Sequence, residues 1–125
     1  QPGLVYVAAD DSDMIFSSST TLRPRSDMNP MGPNPNIDRL FLSAAEHCRS
    51  SIVATILTGM GSDGATGLTA LRNIGAVTLA QSPETCAVDS MPQSAIRSGA
   101  AQRTLTPEEM SEYFASRIRA GSRRV

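Results

Sequence analysis

The sequence predicts an α/β domain built on a parallel sheet with crossover helices. Three observations carry this. From residue 37 onward, segments with helical apolar spacing alternate with short apolar runs, the order expected of parallel strands joined by helices. Two of those runs, Ile52–Leu57 and Ala76–Ala80, are nearly continuous instead of alternating, as in strands buried on both faces. Between them lies Leu57-Thr58-Gly59-Met60-Gly61-Ser62-Asp63-Gly64, a glycine-rich turn with one acid where a strand hands over to a helix. Ligands and catalytic groups collect at the carboxyl ends of strands in open α/β sheets.

The elements follow in order. Leu4–Ala8 and Met14–Ser17 read as short strands separated by the acidic turn Asp10-Asp11-Ser12-Asp13. The polar, proline-rich stretch Ser17–Asn36 suits an irregular surface connection. Asn36 is placed to cap a helix, in which Ile37, Leu40, Phe41, Ala44, Ala45 and Cys48 recur on one face. After the Ile52–Leu57 strand and the glycine turn, a helix runs from about Ala65 to Asn73. Leu68, Leu71 and Ile74 are expected to face inward, with Gly75 ending the helix. A strand at Ala76–Ala80 comes next. Ser90-Met91-Pro92 opens a short helix to about Arg97, closed by Gly99. Ala101–Leu105 reads as an edge strand. Thr106-Pro107-Glu108-Glu109 is a capping box with proline at the first helical position, so a last helix runs to about Ala120.

Composition bounds the function. The 125 residues suffice for one domain and one core. Aromatics are only 4%, so the core must be aliphatic and alanine-rich. A net charge of −1 argues against general nucleic-acid binding. All 11 basic residues are arginine, and Arg117, Arg119, Arg123 and Arg124 crowd the C-terminus, as on a solvated helix end, with an anionic partner as the sharper alternative. Cys48 and Cys86 form no disulfide framework or metal-ligand spacing, which favours a reducing, cytoplasmic setting. No segment approaches the ~20 apolar residues of a membrane span, so no membrane insertion is expected. The chain starts at Gln1 without Met, as a processed chain or a piece of something longer does.

Four features invite a chemical reading. Gly59-x-Gly61-x-x-Gly64 has dinucleotide-fingerprint spacing, but the next strand ends in Ala80-Gln81, without the acid that would hold a ribose. Ser62 fails the G-x-S-x-G nucleophile pattern because position 60 is Met, and reads as a polar turn residue. His47, the single histidine, reads as a surface or partly buried residue, and helical neighbours 47 and 48 point too far apart to form a Cys–His pair. Asp63 is the strongest candidate. It can cap the helix that follows it, and a carboxylate there can also orient a histidine supplied from elsewhere as the third member of a triad.

The stretch from Leu57 to Ile96 closely resembles the chemotaxis methylesterase (CheB-type) family. Thr58 to Leu68 follow its L-T-G-M-G-x-D-G-A-x-G-L motif. Ile74-Gly75-Ala76, Thr78 to Gln81, Thr85 to Val88, and Met91-Pro92 with Ala95-Ile96 follow its later segments. Upstream, Pro2 to Ala8 resemble its P-G-x-V-Y-I-A strand, and Pro35-Asn36-Ile37-Asp38 with Leu40-Phe41 resemble its P-S-x-D-x-L-F helix start.

The resemblance implies a doubly wound, mostly parallel sheet with helices on both faces, a three-layer α/β/α domain here lacking its N-terminal strands. It implies hydrolysis of glutamate methyl esters, and deamidation of glutamines, on chemoreceptor cytoplasmic domains by a Ser-His-Asp triad without a cofactor or metal. Asp63 matches the triad acid. Gly59, Met60, Gly61 and Gly64 match the active-site turn. The family's Ser and His precede the P-G-x-V-Y strand and have no counterpart here, so the isolated chain is expected to be inactive. Expected partners are methylated receptors, an N-terminal receiver domain of a phosphorelay or the missing half-domain, and a second copy through self-association. The family's A-P-G-x-x-H histidine is Asp13, its H-x-P-S histidine is replaced near Met31 to Asn34, and its aromatic-Gly pair is Asp89-Ser90. These departures bear on substrate binding more than on fold. A degenerate, non-catalytic module that binds receptors or signalling proteins is the alternative.

Overall fold

The computed structural model describes residues 3–9, 12–25, 36–48 and 51–122. Strands β1 (Asp13–Ser18) and β2 (Thr21–Arg25) pair as an antiparallel hairpin. Helix α1 (Ile37–His47), β3 (Val53–Ile56), α2 (Ala65–Asn73) and β4 (Val77–Gln81) follow. A 3₁₀ turn at Pro83–Thr85, α3 (Ser90–Arg97), β5 (Arg103–Leu105) and α4 (Pro107–Ser122) complete the chain. β3, β4 and β5 form a parallel sheet in that order.

Strand alternation sorts the core onto the two faces of this sheet. Ala54 and Ile56 pack with Ala44 of α1, Leu68 and Leu71 of α2, and Ala95 of α3. Val53, Val77 and Leu79 point the other way, toward Leu105 and toward Met110 and Tyr113 of α4. Helices therefore cover both faces, the three-layer arrangement of a doubly wound α/β domain. The core is aliphatic and rich in alanine, as the scarcity of aromatics requires.

Helix ends follow local chemistry. Asn36 sits in extended backbone before α1 and its side chain accepts from Arg39 N–H at 2.9 Å. Thr106 and Glu109 form the reciprocal capping box. Thr106 N–H donates to Glu109 Oε1 at 2.8 Å, and Glu109 N–H donates to Thr106 Oγ1 at 3.2 Å. These Thr106 donors hold the Glu109 carboxyl below the usual glutamate range. A depressed carboxyl contributes stability above the unfolded value and loses it as pH falls through the folded value. Protection of the first-turn amides of α4, taken relative to their intrinsic exchange rate at each pH, should therefore fall on acidification, and Glu109→Gln should remove that acid-side change. An unchanged acid response in Glu109→Gln would contradict the capping box as its source.

Four expectations are corrected. Leu4–Ala8 is not a strand: Val5 and Val7 are 91% and 83% exposed, because an extended segment becomes a strand only in a ladder, and no described strand runs beside it. Residues 21–25 are not irregular but form β2, and Pro24 is tolerated because, among the described residues, β2 has β1 as its single neighbour. Asp13 belongs to β1, not to the acidic turn, and is fully buried. Ile74 is 53% exposed, because α2 ends at Asn73 and the chain reverses through Gly75 at φ +95°. The readings at Pro2, Asp10-Asp11, residues 26–35 and Arg123-Arg124 lie outside the described residues.

Candidate active site

The turn leaving β3 is shaped by its glycines. Gly61 and Gly64 have φ of +98° and +100°, a region open to glycine and costly for other residues. Gly59 sits close against the flexible end of Met91: a Cβ there would lie 3.2 Å from Met91 Cε. The turn is pinned to the segment between β4 and α3. Thr58 N–H donates to Gln81 Oε1 at 2.9 Å, Thr58 Oγ1 donates to Val88 O at 2.8 Å, and Gly59 N–H donates to Val88 O at 2.9 Å. Gly61 N–H donates to Ser90 Oγ at 3.0 Å. Met60 stands at the tip, 80% exposed. Beside the turn lies a polar groove of about 600 Å³, bordered by Gly61, Ser62, Ser90, Gln93, Ser94 and Arg97.

Asp63 is half-buried, and both its oxygens are engaged. Oδ2 accepts from Ile37 N–H at 2.7 Å and Oδ1 from Asp38 N–H at 3.0 Å. Asp63 does cap a helix, but that helix is α1, not the α2 that follows it. The reason is tertiary: α1 and α2 lie side by side with their N-termini together. The N-cap of α2 is Gly64, which has no side chain to offer, and the α2 donor Gly67 N–H is taken by Asp38 Oδ1 at 2.6 Å. Each Asp63 oxygen keeps a lone pair beyond its N–H bond, so the fixed carboxylate can still accept from an imidazole N–H.

The remaining candidates are not brought to Asp63. His47 closes the far end of α1, about 15 Å along a helix of 11 residues from the N-terminal turn that Asp63 caps. It lies 3.9 Å from the Glu46 carboxylate. Ser62 borders the groove as a turn residue. The Cys86 thiol contacts Ser82 O at 3.4 Å, and burial, with Asp89 nearby, pushes its pKa up, which disfavours the thiolate. The dinucleotide reading fails on geometry: the α2 N-terminus, where a pyrophosphate would sit, already holds the Asp38 carboxylate. Among the described residues no three His, Cys, Asp or Glu side chains gather as metal ligands.

Sequence reasoning missed Asp38, Asp13, Gln81 and Ser90. Asp13 Oδ1 accepts from Asn36 N–H at 2.6 Å and Oδ2 from Arg39 Nη1 at 2.5 Å, which ties β1 to the start of α1. These pairings span more than twenty residues, and no local pattern announces them.

A family model described as CheB methylesterase matches residues 1–114. The chain belongs to the CheB methylesterase family. It is 39% identical over 127 residues to the protein-glutamate methylesterase/protein-glutamine glutaminase of Paraburkholderia xenovorans (strain LB400), covering 99% of this chain and 35% of that protein. It is 38% identical to the protein of the same description from Chromohalobacter salexigens, covering 98% of this chain and 35% of that protein. The crystal structure of the Thermotoga maritima CheB methylesterase catalytic domain superposes with a TM-score of 0.82 at 31% identity, over 90% of this chain and 61% of that one. The chain thus spans 35% of the length of these curated methylesterase relatives and carries part of the methylesterase fold.

Proposed function

We propose that this chain supplies the orienting acid of a protein-glutamate methylesterase whose nucleophile and base lie in polypeptide outside the chain. The observation that carries the reading is Asp63. It is an acid in the turn after β3, with both oxygens held by backbone N–H groups and lone pairs left for a histidine. In this mechanism a serine hydroxyl attacks the glutamate ester carbonyl while a histidine takes its proton. Collapse of the tetrahedral intermediate expels methanol, which leaves with a proton from the histidine. Water then hydrolyses the acyl-enzyme to the free glutamate. Asp63 holds the imidazole tautomer and balances the imidazolium. Glutamine deamidation runs the same steps with ammonia leaving. The substrate is a methylated chemoreceptor cytoplasmic domain, the setting is the cytoplasm, and a receiver domain regulates the parent protein.

The outer edge of β3, which no strand covers among the described residues, and the exposed Leu4, Val5 and Val7 favour a further strand beside it, supplied by the N-terminal portion or by a second copy. The test is methanol release from methylated receptor, with the isolated chain and with the chain completed, covalently or in trans, by an N-terminal portion carrying the Ser and His. The isolated chain is expected to give only background, and the completed domain robust release, with complex formation followed by size-exclusion chromatography. Release by the isolated chain would point to a nucleophile of its own, at Ser62 or Cys86. A completed domain that assembles, binds receptor and releases no methanol would favour the binding-module reading. Asp13, and Asp89-Ser90, at positions where the family resemblance has a histidine and an aromatic-glycine pair, are the residues that favour that second reading.

A further inference from the structure

Asp38 and Asp63 cap each other's helices. Asp63 takes the N–H groups of Ile37 and Asp38, the first two residues of α1. Asp38 Oδ1 takes Gly67 N–H, in the first turn of α2, at 2.6 Å. The close approach depends on Gly67: a Cβ there would lie 2.6 Å from Phe41 Cβ and 3.2 Å from Asp38 Cα. The turn that carries Asp63 is held at Thr58, Gly59 and Gly61 by Gln81, Val88 and Ser90, but both oxygens of the carboxylate itself bond to the start of α1. The direction of the carboxylate is therefore set by α1. On one side α1 is anchored by Asp13, through Asn36 N–H and Arg39 Nη1. On the other it is anchored by Asp38 to α2.

We propose that Asp38 is a positioning residue: by binding the first turn of α2 it fixes the start of α1, and through it the Asp63 carboxylate. This rests on the reading of Asp63 as the orienting acid. In Asp38→Ala, Gly67 N–H loses its acceptor and the two helix starts can part. A misplacement of about 1 Å in a catalytic array costs on the order of 10²-fold. Asp38→Asn keeps an oxygen acceptor for Gly67 N–H and should rescue.

The test uses the completed domain. Asp38→Ala should lower kcat by about 10- to 100-fold with little change in KM, and Asp38→Asn should recover most of it. A less well-placed Asp63 supports the imidazolium less, so the acid limb of kcat/KM should move to lower pH in Asp38→Ala. Ala44→Gly, which weakens α1 in its interior without touching the caps, should lower stability and leave kcat and the pH limb in place. Independently of activity, the Ile37 amide proton, bonded to Asp63, should move toward a free-amide position in Asp38→Ala. An unchanged kcat in Asp38→Ala, an equal kcat loss in Ala44→Gly, or an unmoved Ile37 amide would each overturn the proposal. If the parent domain is inactive, the methylesterase reading fails, and the Ile37 amide alone decides whether Asp38 positions Asp63.

Discussion

Replacing Asp63 with Asn in the completed domain is expected to lower turnover by about 10⁴-fold, the loss seen when a serine protease triad loses its orienting carboxylate. The carboxylate has two roles, and the experiment separates them. As a cap, Asp63 accepts Ile37 N–H and Asp38 N–H, one on each oxygen. An asparagine amide has one acceptor oxygen and would turn its NH₂ toward the other backbone donor. That loss should cost about 1 kcal/mol of stability, as other cap losses do. A stability loss of that size barely changes the folded fraction of a domain stable by several kcal/mol, so it cannot produce a 10⁴-fold effect. Capping alone predicts a lower melting temperature with kcat nearly intact. Orienting predicts both losses. Kinetics and thermal unfolding on the same preparation decide, and a kcat within tenfold of the parent would reduce Asp63 to a helix cap.

Gly64→Ala is expected to give the largest loss of stability in the site turn. Gly64 has φ +100°, and a Cβ there would lie 2.5 Å from Ile56 Cδ1 and 3.1 Å from Ile37 Cγ2. Positive φ costs an L-residue about 1–2 kcal/mol. Overpacking beside Ile56, which is 1% exposed, adds about 1–3 kcal/mol. Gly61→Ala is the matched control, because its φ is +98° and nothing lies within 4 Å of the new Cβ. It should show the backbone cost alone. Thermal unfolding should therefore place Gly64→Ala below Gly61→Ala, by several degrees for a domain of this size. Equal losses would show that Ile56 and Ile37 yield without cost and that only backbone conformation matters at Gly64.

Much of this protein was legible in its sequence because the deciding interactions are local. The Thr106/Glu109 box closes within three residues, Asn36 reaches only to Arg39, and Gly75 and Gly99 end their helices with positive φ. The two near-continuous apolar runs fell on the parallel strands β3 and β4; β4 is buried on both faces, which leaves no polar alternation to read, while one face of β3 is only half-buried. The long motif from Thr58 to Leu68 carried the family. Tertiary structure alone decided which helix Asp63 serves. A carboxylate caps whichever free N–H groups lie in reach, and here the reach is 26 residues back to Ile37, not forward to α2. It likewise decided that Asp13 is buried against Arg39, that Asp38 holds α2, and that residues 21–25 find a strand partner while Leu4–Ala8 has none among the described residues. Pairing across such distances depends on how helices and strands pack, and no residue pattern within one segment records it.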